Sequence, residues 1–252
     1  MKKLNQYWRV FATGFCFATF GIGGLILGLV IIPLIHLFIR EQTAREYKVQ
    51  HTIKFTFTLF CKLMKYTGAI DYKITGGEIL AADKNCLIVA NHPSLIDYVL
   101  IASQLRQCDC LVKASIWQNP FMKYVVQGAG YIPNKSPDDL LNQCEQRFER
   151  GNVLLVFPEG TRTTPGVKSQ LQRGASQIAI RTERDLRIVH ITVTPSFLTK
   201  EKMWYQVPET KPFFHVEVKH KVEVKPFIEQ TNNPTSAARR LNTHLAEAIF
   251  PE

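Results

Sequence analysis

The 252-residue chain has six cysteines but no cysteine pattern. Cys108 and Cys110 are two apart, which is not a Cys-x-x-Cys pair, and Cys16, Cys61, Cys86 and Cys144 are scattered. That argues against a disulfide framework and fits a reduced, cytosol-facing domain. No third ligand stands at metal-site spacing from the one conspicuous His/Asp pair. Ser94 has no Gly-x-Ser-x-Gly elbow around it, so an activated serine nucleophile is not indicated. Internal repeats and low-complexity tracts are also missing.

Charge is missing from one long stretch. Between Val10 and Ile39 there is no Asp, Glu, Lys or Arg, and His36 is the only basic side chain. As one helix those residues would reach about 45 Å, more than the roughly 30 Å hydrocarbon core of a bilayer. Lys2, Lys3 and Arg9 precede the stretch, but it is too long for a signal peptide and no small-x-small cleavage site follows. It reads as an uncleaved anchor that tilts or bends, with Pro33 and the glycines at 14, 21, 23, 24 and 28 as bending points. Gly24 and Gly28 form a Gly-x-x-x-Gly pair, a candidate helix-packing face. Whether the anchor spans or forms a one-leaflet hairpin stays open, because positive charge flanks it on both sides.

What is present is basic and apolar. Thirty-one Lys and Arg against 21 Asp and Glu give +10, and 46% hydrophobic composition supports a full core. The charge implies an anionic partner, with simple basicity of a membrane protein as the rival reading. Between Arg40 and Gly68 six cations accompany two acids, while Ile53, Phe57, Phe60, Leu63 and Met64 recur at near-helical spacing. This predicts an amphipathic helix at the headgroup level; the rival is an ordinary helix packed on the soluble domain.

Beyond Gly68 strands and helices alternate. Strands are predicted at 70–75, 86–90, 110–113, 153–157 and 187–195, and helices at 95–105, 121–128, 138–151, 169–182 and 235–249. Residues 214–224 alternate around a possible turn at 219–221, a late β-hairpin. The pattern predicts an α/β fold with a mixed, mostly parallel central sheet flanked by helices, after an N-terminal membrane-embedded helical segment. The predicted division is residues 1–68, anchor and interfacial helix, and 69–252, catalytic domain.

Two segments carry chemistry. Asn91-His92-Pro93-Ser94-Leu95-Ile96-Asp97 follows a short apolar run, and Phe157-Pro158-Glu159-Gly160-Thr161-Arg162 follows another. On one continuous helix His92 and Asp97 would lie about 140° apart and not meet. Pro93 favours the first helical position, which leaves His92 at the strand end and lets Asp97 fold back on it. Asp97 would then fix the ring tautomer while the other nitrogen acts as general base. The bland alternative is a capping His and a surface Asp. At the second segment Gly160 permits close backbone approach and Arg162 offers a planar cation for phosphate oxygens. Glu159 would orient Arg162 or bond a glycerol hydroxyl. A plain structural turn with a surface Arg–Glu pair is the rival. Lys113 and Arg173 are further candidate cations.

These blocks resemble the glycerolipid acyltransferase family, of which 1-acylglycerol-3-phosphate acyltransferases are members. The similarity runs from about residue 76 to 195 and includes Arg173-Gly174-Ala175. It implies His92 as general base and Asp97 as its partner. It implies Lys113, Glu159, Gly160, Thr161 and Arg162 as acceptor-binding residues. It also implies no metal or bound cofactor, with acyl-CoA or acyl carrier protein bringing the acyl group as co-substrate. The expected reaction is transfer of a fatty acyl group to the hydroxyl of a lysophospholipid, by default 1-acylglycerol-3-phosphate, giving phosphatidate. Expected partners are membrane lipids, the lysophospholipid and the acyl donor, and not nucleic acid. The expected place is a membrane, the bacterial inner membrane, with the catalytic domain on its cytoplasmic face. Two positions depart from the family: Pro133-Asn134-Lys135 follows Ile132 where an Arg is usual, and His190 stands where a Pro is usual. A different or non-phosphorylated acceptor, and a non-catalytic module binding anionic lipid, are the alternatives.

Overall fold

The computed structural model describes residues 2–119, 122–134, 137–164, 169–231 and 233–250. Its centre is a seven-stranded sheet in the order β1-β7-β6-β2-β5-β3-β4. The strands are β1 (Asp71–Thr75), β2 (Leu87–Ala90), β3 (Cys108–Val112), β4 (Ile132–Pro133), β5 (Val153–Val156), β6 (Leu186–Thr194) and β7 (Phe213–Val222). All described pairings are parallel except β6 with β7. The sheet is therefore mixed and mostly parallel. β2 reads Leu-Ile-Val-Ala and is buried throughout, as a central parallel strand covered on both faces requires.

The helices are α1 (Lys2–Ile26), α2 (Ile32–Phe38), α3 (Gln42–Tyr66), α4 (Gly77–Ala82), α5 (Asp97–Ala102) and α6 (Ala114–Trp117). They continue as α7 (Lys123–Gly128), α8 (Pro137–Glu149), α9 (Gly174–Thr182), α10 (Lys225–Glu229) and α11 (Pro234–Ile249). α11 presents Leu241, Leu245 and Ile249 to one face of the sheet, as its spacing predicts, and packs beside α9. Helix α3 covers the other face with Phe60, Cys61 and Met64.

Four expectations need correcting. Residues 214–224 do not turn: β7 is one strand, and the hairpin lies between β6 and β7. Beyond Glu217 β7 has lost its β1 neighbour, so Lys219, His220 and Lys221 are polar because one flank is open. Helix α9 begins at Gly174 rather than 169, because Gln172 N–H donates to Pro158 O and holds the preceding residues as a loop. Helix α5 begins at Asp97, with a turn separating it from Pro93. Finally, the apolar face of α3 does not point at lipid: Ile53, Phe60 and Met64 are buried against the domain.

The apolar stretch is one helical rod. α1 runs into a π-helical segment, Leu27–Ile31, and then α2, with no doubling back between residues 2 and 38. The widened turn directly precedes Pro33, which has no N–H to continue the ladder. The chain reverses at residues 39–41, where Glu41 caps α3 by accepting from Thr43 and Ala44 N–H. This rod lies along the domain. Arg9 donates to the carbonyls of Pro208 and Glu209 near one end, and Ile32 packs on Gly128 near the other. Among the described residues Gly24 has nothing within 4 Å of where a Cβ would stand, whereas Gly28 meets Val125 and Tyr124, so the Gly24/Gly28 pair does not act together as a packing face.

Candidate active site

β2, β5 and β3 are neighbours, and their carboxyl ends deliver His92, the 157–163 turn and Lys113 to one edge of the sheet. Such edges are where open α/β sheets place ligands. Asn91 fixes the exit of β2. Its side chain donates to Ile191 O at 2.8 Å and accepts Ile191 N–H at 2.7 Å, copying a strand pair across to β6.

The turn after Asn91 brings His92 and Asp97 together. Nδ1 of His92 lies 2.9 Å from Asp97 Oδ2, which also accepts Ser94 N–H at 2.6 Å. Asp97 is fully buried, and burial pushes its carboxyl up to about 6 against the opposing hydrogen bond from His92. The imidazole stacks on Phe157, ring centroids 4.3 Å apart. With Nδ1 facing the carboxylate and one ring face covered, Nε2 is the nitrogen left for chemistry.

The second segment braces the first. Glu159 is buried and accepts His92 N–H at 2.9 Å and the Thr163 hydroxyl at 2.7 Å. Thr163 N–H donates to His92 O at 2.7 Å. Glu159 thus holds the main chain of His92, and Arg162 finds its partners elsewhere, in the carbonyls of Leu198 and Thr199. The other oxygen of Glu159, Oε2, is buried without a partner among the described residues. Gly160 has φ +67°, a conformation glycine adopts freely. Its carbonyl accepts from Lys113 Nζ at 3.3 Å, so Lys113 does reach the turn.

Arg162 stands on the same side as the 92–97 loop. Its Nη1 donates to the carbonyls of Leu198 and Thr199, and Leu198 O also accepts Leu95 N–H. One amino group of Arg162 is therefore committed to main-chain carbonyls. Thr161 is exposed beside it, and Arg173 is exposed at the start of α9. Lys135 lies outside the described residues. The main-chain N–H groups of His92 and Gly160 are both engaged, the first by Glu159 and the second by Phe157 O, so neither is free to donate to a developing oxyanion. Sequence reasoning gave Thr163 and Phe157 no role, and no spacing rule marks either.

A base held by a buried carboxylate, beside a turn and cations at a sheet edge, defines a site for proton-assisted group transfer. The chain belongs to the acyltransferase family: the family model described as Acyltransferase matches residues 71–198, half of the chain. It is 29% identical over 181 residues to the chloroplastic 1-acyl-sn-glycerol-3-phosphate acyltransferase BAT2 of Brassica napus, covering 67% of this chain and 50% of that protein. It is 31% identical over 100 residues to the 1-acyl-sn-glycerol-3-phosphate acyltransferase of Helicobacter pylori, covering 37% and 42%. The chain thus spans half the length, or less, of these curated relatives. The fold matches the crystal structure of the 1-acyl-sn-glycerophosphate (LPA) acyltransferase PlsC from Thermotoga maritima. The TM-score is 0.70 at 17% identity, over 98% of this chain and 96% of that one.

Proposed function

We propose that the chain is an O-acyltransferase. It moves a fatty acyl group from the thioester of acyl-CoA or acyl carrier protein to the free hydroxyl of 1-acylglycerol-3-phosphate, giving phosphatidate. The observation that carries the reading is the His92–Asp97 contact at the edge that also holds the 157–163 turn and Lys113. Asp97 keeps the proton on Nδ1, so Nε2 accepts the proton of the acceptor hydroxyl. The alkoxide oxygen attacks the thioester carbonyl carbon, the C–O bond forms, and the tetrahedral intermediate expels the thiolate as the C–S bond breaks. The imidazolium returns its proton to the departing sulfur. No acyl-enzyme forms.

The rod of residues 2–38 supports a membrane location. A helix held lengthwise at both ends against a water-soluble domain lies in the bilayer surface rather than across it. Its exposed side carries Leu4, Phe11, Phe15, Ile22, Leu29 and Leu37.

One observation favours a second acceptor class: Arg162 spends Nη1 on two carbonyls, which weakens it as a phosphate ligand. A panel of lysolipids with and without phosphate, offered with both donor types, tests both. Turnover restricted to phosphorylated lysolipids supports the first reading. Turnover of uncharged alcohols alone supports the second, and no turnover with any pair contradicts both.

A further inference from the structure

Two tips seat against the rod, one at each of two glycines. The first is Met203-Trp204-Tyr205, in the connection from β6 to β7. A Cβ on Gly14 would lie 3.1 Å from the Trp204 ring, and Trp204 also meets Phe17 at a tilt and Tyr205 edge to face. The second is Met122-Lys123-Tyr124, entering α7. A Cβ on Gly28 would lie 3.5 Å from Val125 and 3.7 Å from Tyr124 Cβ. Fourteen residues of helix separate the two glycines, about 21 Å at 1.5 Å per residue.

Both tips expose what a folded domain usually hides. Met203, Trp204 and Tyr205 are 56%, 41% and 50% exposed, and Met122 and Tyr124 are 43% and 45% exposed. The first tip is pinned: Met203 N–H donates to Gln206 Oε1, and Gln206 N–H returns to Met203 O. Rigid display of large apolar groups marks a docking surface. Trp and Tyr suit the boundary between headgroups and acyl chains, where one end of the ring is wet. Lys200 and Lys202 flank the first tip with Glu201 between them, and Lys123 stands in the second over the Tyr124 ring.

We infer that the 203–205 and 122–124 tips are two membrane-docking elements that insert at the interface of an anionic bilayer. With the rod between them they form one footprint parallel to the bilayer. The occupant is lipid because both tips seat on the apolar rod with large apolar side chains exposed, and a cation stands beside the first (Lys202) and within the second (Lys123). The footprint also places chemistry. The two tips belong to the segments that follow β6 and β3, at the carboxyl edge that holds His92, so a lysolipid reaches the base without leaving the interface. The inference rests on the membrane reading above.

Two single-tryptophan versions of the full chain separate the claims. One keeps Trp204 (Trp8→Phe, Trp117→Phe), and the other keeps Trp8 (Trp117→Phe, Trp204→Phe). Each is mixed with vesicles of phosphatidylcholine and phosphatidylglycerol whose acyl chains carry bromine. Quenching and a blue shift of Trp204 on vesicle addition are expected. Trp204→Ser with Tyr205→Ser should weaken vesicle binding about tenfold, the order expected for two interfacial rings. Quenching of Trp8 without quenching of Trp204 overturns the inference and leaves membrane binding intact. Quenching of neither overturns both. A blue shift of Trp204 that grows with protein concentration in the absence of vesicles assigns the surface to a second copy and overturns the lipid assignment.

Discussion

Asp97 and Asp109 are both fully buried, and burial pushes each carboxyl up to about 6. They sit at opposite edges of the same sheet: Asp109 pairs with Leu154 near the start of β5, and Asp97 follows the end of β2. Their partners differ. Asp109 accepts from the side-chain amides of Gln50 at 2.9 Å and Asn152 at 2.7 Å, with Arg147 lowering its pKa from nearby. Arg147 is itself held by Glu46 of α3. None of those partners exchanges a proton near neutral pH. A cleft of about 350 Å³ lies at this edge, lined in part by Glu46, Gln50, Arg147, Arg150 and Asn152. Asp97 instead faces an imidazole with a nitrogen to spare. A perturbed carboxyl and a nearby cleft therefore do not mark a catalytic site by themselves; the partner's ability to carry a proton does.

The contrast can be broken by substitution at either edge. His92→Ala should lower the acyl-transfer rate about a thousandfold, within the usual range for loss of a positioned base, with little change in unfolding temperature. Activity lost together with folding would erase the contrast. Asp97→Asn should cost about a hundredfold. In the wild type, kcat/KM should fall as pH drops through about 6, as Asp97 gains a proton and no longer supports the imidazole. A rate unchanged down to pH 5 would remove Asp97 from the chemistry.

Glu159→Ala sharpens the account of the braced turn. If Glu159 holds His92 in place, kcat falls some tens of times and acceptor KM holds, whereas an acceptor ligand would raise KM. Asp109→Ala should leave the rate of folded protein within about threefold. It should cost about 2–4 kcal/mol of stability, because the amides of Gln50 and Asn152 lose their acceptor. The pH dependence has a sign. Both carboxyls are raised by folding, so their contribution to stability is present below about 4 and is lost as pH rises through about 6. Urea midpoints measured from pH 4 to 8 should therefore fall less steeply with pH in Asp109→Ala than in the wild type.

Much of this was legible in the sequence. Short apolar runs ending in Asn-His-Pro and Phe-Pro-Glu-Gly fix β2 and β5, and α11 shows its face in Leu241, Leu245 and Ile249. The His92–Asp97 contact follows from Pro93 and the reversal it permits, even though the helix starts only at Asp97. The rest depends on packing that spacing does not encode. The face of α3 looks the same against lipid or against a sheet, and only the fold chooses. Glu159 and Arg162 were paired by proximity in sequence, yet each found a nearer partner in the chain, His92 N–H for one and the carbonyls after β6 for the other. The edge around Asp109 gave no signal, because Gln50, Asp109 and Asn152 come from distant segments.

The most direct measurement is the proton position on His92 in full-length protein labelled with ¹⁵N at histidine, assigned by difference against His92→Ala. At pH 8 the account predicts a proton on Nδ1, facing Asp97, and none on Nε2. A proton on Nε2 would leave the ring without a free base on its open side and would contradict the mechanism.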